Sequence, residues 1–191
     1  MRVLIVYGTS EGQTQSIARF VAERLLKGKH KVLTVNASQS QFIPQLEAFD
    51  AVIIAASLHA GHYQRSVVQF VKQHAAALAE RPNAFLAVSL TAAGADAEDR
   101  AGLERCVNRF ITETGWTPAS LRHVAGALRY RAYGFFKRWL MQRIAARRGG
   151  PTDTRRNHEL TNWADVAGFI DAFARQSGAQ VSAAARAPHG H

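Results

Sequence analysis

The sequence has a single cysteine and no long apolar run, and each absence excludes a class of protein. Cys106 has no second cysteine with which to form an intramolecular disulfide, which fits a reducing cytosol. No apolar run approaches the roughly 18 residues that a membrane-spanning helix needs, and the opening "MRVLIVY" is too short for a signal-peptide core. We expect one soluble or peripheral domain with an elaboration, since 191 residues suffice for one full core.

Acidic residues are scarce in one segment, and the basicity of the chain is concentrated there. The formal net charge is +10, with 24 Lys and Arg against 14 Asp and Glu. Residues 122–156 contain ten of those basic residues and only one of the acidic ones, Asp153. The remainder is nearly neutral. A local patch of this kind fits nucleic acid, an anionic membrane surface or an acidic substrate.

Five short apolar runs alternate with helical patterns along the chain. They occupy residues 2–7, 31–35, 50–57, 83–90 and 122–128. Strands separated by helices predict parallel βαβ units, and continuously apolar runs are typical of strands covered on both faces. A doubly wound sheet binds ligands beyond the carboxyl ends of its strands, so the loops at 8–14, 57–63 and 89–95 are the candidate site.

The end of the chain is predicted to hold one more helix followed by a tail. Thr161 or Asn162 is placed to cap a helix that carries apolar residues at helical spacing from Val166 to Phe173. From Ser177 onward the sequence is rich in Ala, Gly and Ser, which predicts a disordered tail over 177–191 and a folded domain over 1–176.

The first candidate loop, "YGTSEGQT" at residues 7–14, contains hydroxyl residues and glycines but no basic residue. It lies between a strand and a helix, where free backbone N–H groups and the positive end of the helix dipole bind anions. Thr9, Ser10 and Thr14 can add hydroxyl donors, and the side chain of Glu11 is expected to point into solvent. The loop matches neither GxxxxGK[ST] nor GxGxxG, which disfavours a nucleoside triphosphate and a dinucleotide and leaves a single terminal phosphate.

The second loop, "SLHAGHY" at residues 57–63, offers small residues for close approach and flat side chains for a planar ring. His59, His62 and Tyr63 can stack on such a ring or hydrogen-bond to it. The two histidines do not predict a metal site, because no third ligand stands nearby in the sequence. A phosphate at the first loop and a flat ring at the next two describe FMN.

Several stretches resemble the menaquinone-dependent protoporphyrinogen oxidases of the flavodoxin superfamily. They are "TSEGQT" at 9–14, "ASLHAGHYQRSVVQFVKQHA" at 56–75, "AGALRY" at 125–130, "GGPTDTR" at 149–155 and "TNWADVAGFI" at 161–170. The resemblance implies a flavodoxin-like α/β fold, a doubly wound five-stranded parallel sheet in the order 2-1-3-4-5, with a basic insertion between the last strand and the last helix. The chain departs from the family pattern at Ser10, where a basic residue is expected, and at 91–102, which is small and acidic.

The resemblance also implies the chemistry and the residues that carry it. The implied activity is the FMN-dependent oxidation of protoporphyrinogen IX to protoporphyrin IX in heme biosynthesis, with a membrane quinone as electron acceptor. The residues expected to bind FMN are Thr9, Ser10, Glu11, Gly12, Gln13, Thr14, Ser57, Leu58, His59, Ala60, Gly61, Ser89, Leu90 and Thr91. No general base is assigned, and His59 and His62 are the candidates for a catalytic role.

The insertion at 129–160 combines aromatic and basic side chains. "AYGFFKRWLMQRIAARR" at 132–148 has apolar residues at helical spacing beside cations, as an interfacial helix at an anionic membrane surface does. We predict a peripheral protein at the cytoplasmic side of the inner membrane. The candidate membrane or substrate contacts are Arg129, Arg131, Phe136, Lys137, Arg138 and Trp139. Nucleic acid is disfavoured, because no recognition module is present.

Two other functions share the same fold. One is a flavodoxin-like electron-transfer protein without a substrate of its own, although such carriers are typically acidic and this chain is basic. The other is an NAD(P)H:quinone reductase, in which the basic segment would receive a nicotinamide phosphate.

Overall fold

The computed structural model describes residues 1–39, 45–93, 97–128 and 158–186. Short apolar segments form the strands and amphipathic segments form the helices, as the periodicity predicts. The strands are β1 (Arg2–Gly8), β2 (Lys31–Asn36), β3 (Ala51–His59), β4 (His62–Tyr63), β5 (Asn83–Ser89), β6 (Ser120–Ala125), β7 (Ala127–Leu128) and β8 (His158–Glu159). The helices are α1 (Gln13–Lys27), α2 (Arg65–Gln73), α3 (Ala75–Ala79), α4 (Ala97–Thr114) and α5 (Trp163–Arg186), with single 3-10 turns at Leu46–Ala48 and Thr91–Ala93.

The main sheet has five parallel strands in the order β2-β1-β3-β5-β6, and the short β4 pairs antiparallel with the end of β3. Counted among the parallel strands alone, this is the predicted order 2-1-3-4-5. The order reverses direction next to β1, so the carboxyl ends of β1 and β3 open a crevice between them. The predicted flavodoxin-like α/β fold is confirmed.

Two apolar clusters cover the two faces of this sheet. Alternate residues of β1 point to opposite sides, so Val3 and Ile5 join the cluster beneath α1 and α5, while Leu4 and Val6 join the cluster beneath α2 and α4. The central strands β1, β3 and β5 are buried along almost their whole length. Burial on both faces explains why their sequences are continuously apolar.

The last strand differs from the prediction. The apolar run at 122–128 is divided, because β6 ends at Ala125 and the next two residues form β7, which pairs antiparallel with β8. The separation occurs at Gly126, whose N–H donates to the Ser89 carbonyl.

Residues 129–157 lie outside the described residues, and so do the contacts predicted for the insertion at Arg129, Arg131, Phe136, Lys137, Arg138 and Trp139.

The last helix is longer than the sequence predicts. We expected disorder from Ser177, but α5 continues to Arg186 and Ser177 is 1% exposed. Ser177 extends the buried stripe of Ile170 and Phe173 by one more turn, and the alanines that follow have the highest helix propensity of any residue. The disordered-tail prediction is therefore wrong for 177–186.

The start of α5 is attached to the sheet and to α1. Asn162 is the N-cap, since its Oδ1 accepts from the Asp165 N–H at 3.1 Å. Arg122 of β6 forms an ion pair with Asp165, and Arg24 of α1 forms one with Asp171.

Within the four described ranges, no helix is both long enough and apolar enough to cross a membrane.

Candidate functional site

A cavity of about 370 Å³ opens at the carboxyl ends of β1, β3 and β5, beside the switch in strand order. Its volume falls within the range of about 300–1,000 Å³ that is usual for small-molecule sites. The lining residues are Thr9, Ser10, Glu11, Gln13, Thr14, Ser57, Leu58, His59, Ala60, Gly61, Val88, Ser89, Leu90, Thr91 and Gly126. The three predicted loops therefore meet at one place, and every residue predicted to bind a cofactor lines it except Gly12.

The first loop turns sharply into α1 at Gly12. This residue is the N-cap of α1 and has φ 86°, a left-handed conformation that favours glycine. The N–H of Gly12 donates to Thr9 Oγ1 at 2.8 Å, so the Thr9 hydroxyl closes the loop and retains its own hydrogen for another acceptor. Gly12 thus shapes the loop without lining the cavity.

Thr14 carries an unsatisfied polar group at the base of the cavity. The residue is fully buried, and its Oγ1 has no hydrogen-bond partner among the described residues. A buried hydroxyl without a partner costs about 1–3 kcal/mol relative to one that is paired. Its position in the first turn of α1, where N–H groups lack intrahelical acceptors, indicates that an external acceptor satisfies both kinds of donor.

The second wall of the cavity is a tight hairpin between β3 and β4. Ala60 has φ 49° and Gly61 has φ 80°, so both central residues adopt the left-handed conformation of a type I′ turn. This conformation is unfavourable for alanine, and such strain is common where backbone approaches a ligand. Arg109 of α4 supports the turn from outside, with its Nη1 donating to the Gly61 carbonyl at 3.4 Å.

The two candidate histidines occupy different positions. His59 and His62 are directly opposite each other across the β3–β4 pair, and both are exposed. His59 lines the cavity and His62 does not. Of the two, only His59 is therefore placed at the site.

Tyr63 does not serve as a flat group for the ligand, contrary to our prediction. Its ring is buried in the cluster beneath α2 and α4, with ring centroids 5.1 Å from Phe85 and 5.3 Å from Phe110. Burial raises the pKa of the Tyr63 hydroxyl above its ordinary value. Alternation along the short β4 turns Tyr63 inward and His62 outward.

The third wall comes from the end of β5 and includes two residues that the sequence did not single out. Ser89 and Thr91 lie where they were predicted, and Ser89 Oγ accepts from the Ala92 N–H at 3.1 Å. Val88 and Gly126 also line the cavity. Gly126 follows the carboxyl end of β6 and lies outside the three loops that the sequence predicts to form the site.

A side-chain amide outside the predicted set connects two walls of the cavity. Gln64 Nε2 donates to Ser10 Oγ in the first loop and to Ser57 Oγ at the end of β3, the latter at 3.0 Å. The position of Gln64 after the hairpin could have marked it as a candidate site residue. Its hydrogen-bond partners, however, depend on the packing of α2 against β1.

The cavity combines hydroxyl groups with apolar surface and has little formal charge. Among the described residues that line it there is no lysine or arginine, and the only formal charge is that of Glu11. Glu11 is half-buried and lines the cavity, and the expected direction of its side chain toward solvent stays a prediction. The arrangement can hold one anionic group through hydroxyls and backbone N–H groups, with space for a flat body between the second and third walls.

The chain is similar to known proteins over most of its length. The flavodoxin domain family matches residues 4–155. The protoporphyrinogen IX dehydrogenase [quinone] of Escherichia coli (strain K12) is 34% identical over 169 residues, covering 88% of this chain and 92% of that protein. The protein of the same name from Leishmania major is 32% identical over 176 residues, covering 91% of this chain and 74% of that protein.

The fold has solved counterparts at much lower sequence identity. The flavodoxin of Streptococcus pneumonia TIGR4 superimposes with a TM-score of 0.53 at 13% identity, covering 94% of this chain and 99% of that one. Similarity at this level concerns the arrangement of strands and helices alone.

Proposed function

This chain belongs to the flavodoxin domain family, among the quinone-dependent protoporphyrinogen IX dehydrogenases, and we propose that it uses FMN to oxidise protoporphyrinogen IX to protoporphyrin IX. A quinone is the proposed electron acceptor. The observation that carries the proposal is the cavity at the switch in strand order, where three loops rich in hydroxyl and small residues meet.

The residues at the base of the cavity fit a terminal phosphate. The buried Thr14 hydroxyl lacks a partner among the described residues, and Thr9 and Ser10 have hydroxyl hydrogens that their own contacts do not use. These donors surround the positive end of α1, which favours an anion by about 0.3–1 kcal/mol at an exposed site and more when buried. Thr9 to Thr14 and Ser57 would hold the phosphate.

The walls above them fit a flat ring. The small residues Ala60 and Gly61 allow the turn to approach a ring closely, and Leu58 and Val88 supply apolar surface. Leu90 and Thr91 complete the proposed ring contacts from the third wall. Bound FMN would supply a two-electron acceptor for hydride from the substrate and pass those electrons to the quinone.

This chain's own residues would orient the reactants and manage protons. His59 is exposed at the mouth of the cavity, where its imidazole can take up the proton that a porphyrinogen loses as its hydride leaves. Arg109 donates to the carbonyl of Gly61, so it holds the turn and places a positive charge near that end of the site. Such a charge favours a reduced, anionic ring.

Stopped-flow reduction of the bound flavin tests this function. We expect rapid reduction by protoporphyrinogen IX, slow reduction by NADPH, and reoxidation by a quinone that completes the cycle. Rapid reduction by NADPH with none by porphyrinogen would support an NAD(P)H:quinone reductase instead. Reduction by neither, with rapid exchange of electrons with protein partners, would support an electron carrier.

We further propose that the insertion at 129–160 brings the site to the cytoplasmic face of an anionic membrane, where the quinone resides. The proposal rests on the sequence of this segment, which joins Phe136 and Trp139 to Lys137 and Arg138. Each cation near an anionic surface contributes about 1 kcal/mol, and the aromatic side chains add burial at the lipid boundary.

Vesicle co-sedimentation at low and high salt tests the membrane proposal. Lys137→Glu with Arg138→Glu should weaken binding to anionic vesicles in a salt-dependent way, because screening affects the charge contribution. Phe136→Ser with Trp139→Ser should weaken it with little salt dependence, because buried apolar area is lost. Equal binding by wild type and both variants would contradict the proposal.

A further inference from the structure

We propose that Gln64 is a positioning residue which sets the hydroxyls of Ser10 and Ser57 as donors toward the phosphate of the cofactor. The inference rests on the proposed FMN site and explains how its described residues, which include no lysine or arginine, bind an anion. Gln64 does not line the cavity, so its effect is transmitted through the two serines.

The geometry places one amide between two loops. Gln64 Nε2 donates to Ser57 Oγ at 3.0 Å and to Ser10 Oγ, and both serines line the cavity. Gln64 is also the N-cap of α2, and its carbonyl accepts from the N–H groups of Val67 and Val68. The backbone of Gln64 is therefore held at the start of α2, and its side-chain amide is held by the two serine hydroxyls.

Gly8 makes this approach possible. A Cβ at Gly8 would lie 2.9 Å from Gln64 Cβ and 2.6 Å from Val67 Cγ2, which is closer than real Cβ atoms come. The end of β1 thus has no side chain at the point where α2 begins. The stem of Gln64 occupies that space, and its amide reaches Ser10, two residues farther along the first loop.

The direction of these hydrogen bonds has a chemical consequence. A hydroxyl that accepts from an amide N–H directs its own hydrogen elsewhere, and because both serines line the cavity, a ligand bound there can accept it. Each serine then presents a donor to a phosphate oxygen, and hydrogen bonds to a charged group are the stronger kind. The buried Thr14 hydroxyl, which lacks a described partner, lines the same cavity and independently indicates an acceptor there.

The experiment compares FMN with riboflavin, which lacks the phosphate, on the full chain purified with its flavin. Dissociation on dilution is followed by flavin fluorescence, and riboflavin affinity is measured by exchange. Gln64→Glu replaces the donor with acceptors and should reverse both serine hydroxyls. We expect FMN affinity to fall about 10- to 100-fold, the size of a lost hydrogen bond to a charged group, with riboflavin affinity changed less than about threefold.

Three further variants separate hydroxyl direction from other effects. Gln69→Glu adds the same charge at an exposed position of α2 and should leave both affinities unchanged. Gln64→Met keeps the side-chain length without polarity and should weaken FMN by about three- to tenfold, again sparing riboflavin. Ser57→Ala should weaken FMN in the wild-type background but have little effect beside Gln64→Glu, since that serine no longer donates.

The outcomes separate the role of Gln64 from the existence of the FMN site. If the wild type prefers FMN strongly and Gln64→Glu keeps that preference, the role of Gln64 is overturned while the FMN site stands. Equal losses for FMN and riboflavin would likewise assign Gln64 a merely structural role. A wild type that binds riboflavin as tightly as FMN would overturn the phosphate site itself, and the role of Gln64 with it.

Discussion

Two buried polar side chains at opposite edges of the same sheet differ in their hydrogen bonding. At the amino edge, the Asn83 side chain donates to the carbonyls of Leu78 and Arg81, both at 2.9 Å, and accepts from the Ala119 N–H at 2.7 Å. At the carboxyl edge, the equally buried Thr14 hydroxyl has no partner among the described residues.

We attribute this difference to function, because the Asn83 side chain stabilises the fold and the Thr14 hydroxyl is available to a ligand. Asn83 joins the loops before β5 and β6, so its hydrogen bonds are complete within the chain. The carboxyl edge instead presents an unpaired buried donor and a cavity, each of which lowers stability unless a ligand compensates. Substitutions at the amino edge should therefore affect unfolding, and substitutions at the carboxyl edge should affect cofactor affinity.

The largest effect is expected at the amino edge, from Asn83→Leu. The change leaves the Ala119 N–H and two carbonyls without the side-chain partner, and we expect the free energy of unfolding to fall by about 3 kcal/mol. Urea unfolding measures the loss. The exposed Asn108→Leu is the control and should stay within about 0.5 kcal/mol of wild type. A loss below 1 kcal/mol for Asn83→Leu would contradict the structural role of this edge.

A smaller effect of opposite sign is expected from Thr14→Val. Removing an unpaired buried hydroxyl should leave the free energy of unfolding of the FMN-free protein unchanged or raise it by up to about 1 kcal/mol. FMN affinity should fall about tenfold, because one donor to the phosphate is lost. Urea unfolding and flavin titration measure the two quantities.

Thr114→Val is the matched control for that substitution. Thr114 is 3% exposed, and its hydroxyl donates to the Phe110 carbonyl at 2.7 Å and accepts from the Trp116 N–H. We expect this variant to lower stability by about 1–3 kcal/mol and to leave FMN affinity unchanged. If Thr14→Val destabilises the FMN-free protein as much as Thr114→Val does, the contrast between the edges is wrong.

The smallest effects are expected where each edge holds a non-glycine residue at positive φ. Lys29 has φ 62° at the amino edge and Ala60 has φ 49° at the carboxyl edge. Glycine at either position relieves strain but adds entropy to the unfolded chain, so each variant should change stability by less than about 1 kcal/mol.

Of the two substitutions, only the one at position 60 should change cofactor affinity. Ala60→Gly loosens the turn that lines the cavity, and we expect FMN affinity to fall two- to threefold as preorganisation is lost. Lys29→Gly should leave FMN affinity unchanged. Flavin titration of both variants decides the point, and equal losses would show that the turn at Ala60 and Gly61 has no special relation to the ligand.

The sequence alone determined the architecture and the place of the site. Continuous apolar runs of strand length alternate with helical stripes, and a doubly wound sheet with ligands at its carboxyl edge follows from those patterns. The absence of lysine from "YGTSEGQT" indicated a phosphate held by hydroxyls and backbone, and the structure places this loop in the wall of the cavity. These features depend on local periodicity and composition, which the sequence carries directly.

Tertiary structure decided which side chains face the site. Tyr63 points into the core because β4 pairs with the end of β3 and alternation turns it inward, whereas Glu11 lies at the cavity because the loop bends at Gly12. The segment 177–186 is helical because a buried stripe continues along α5, which outweighs a composition typical of disorder. Gln64 reaches Ser10 and Ser57 only because β1 ends in a glycine beneath α2. Each of these outcomes depends on contacts between residues far apart in the chain, and local pattern contains no information about such contacts.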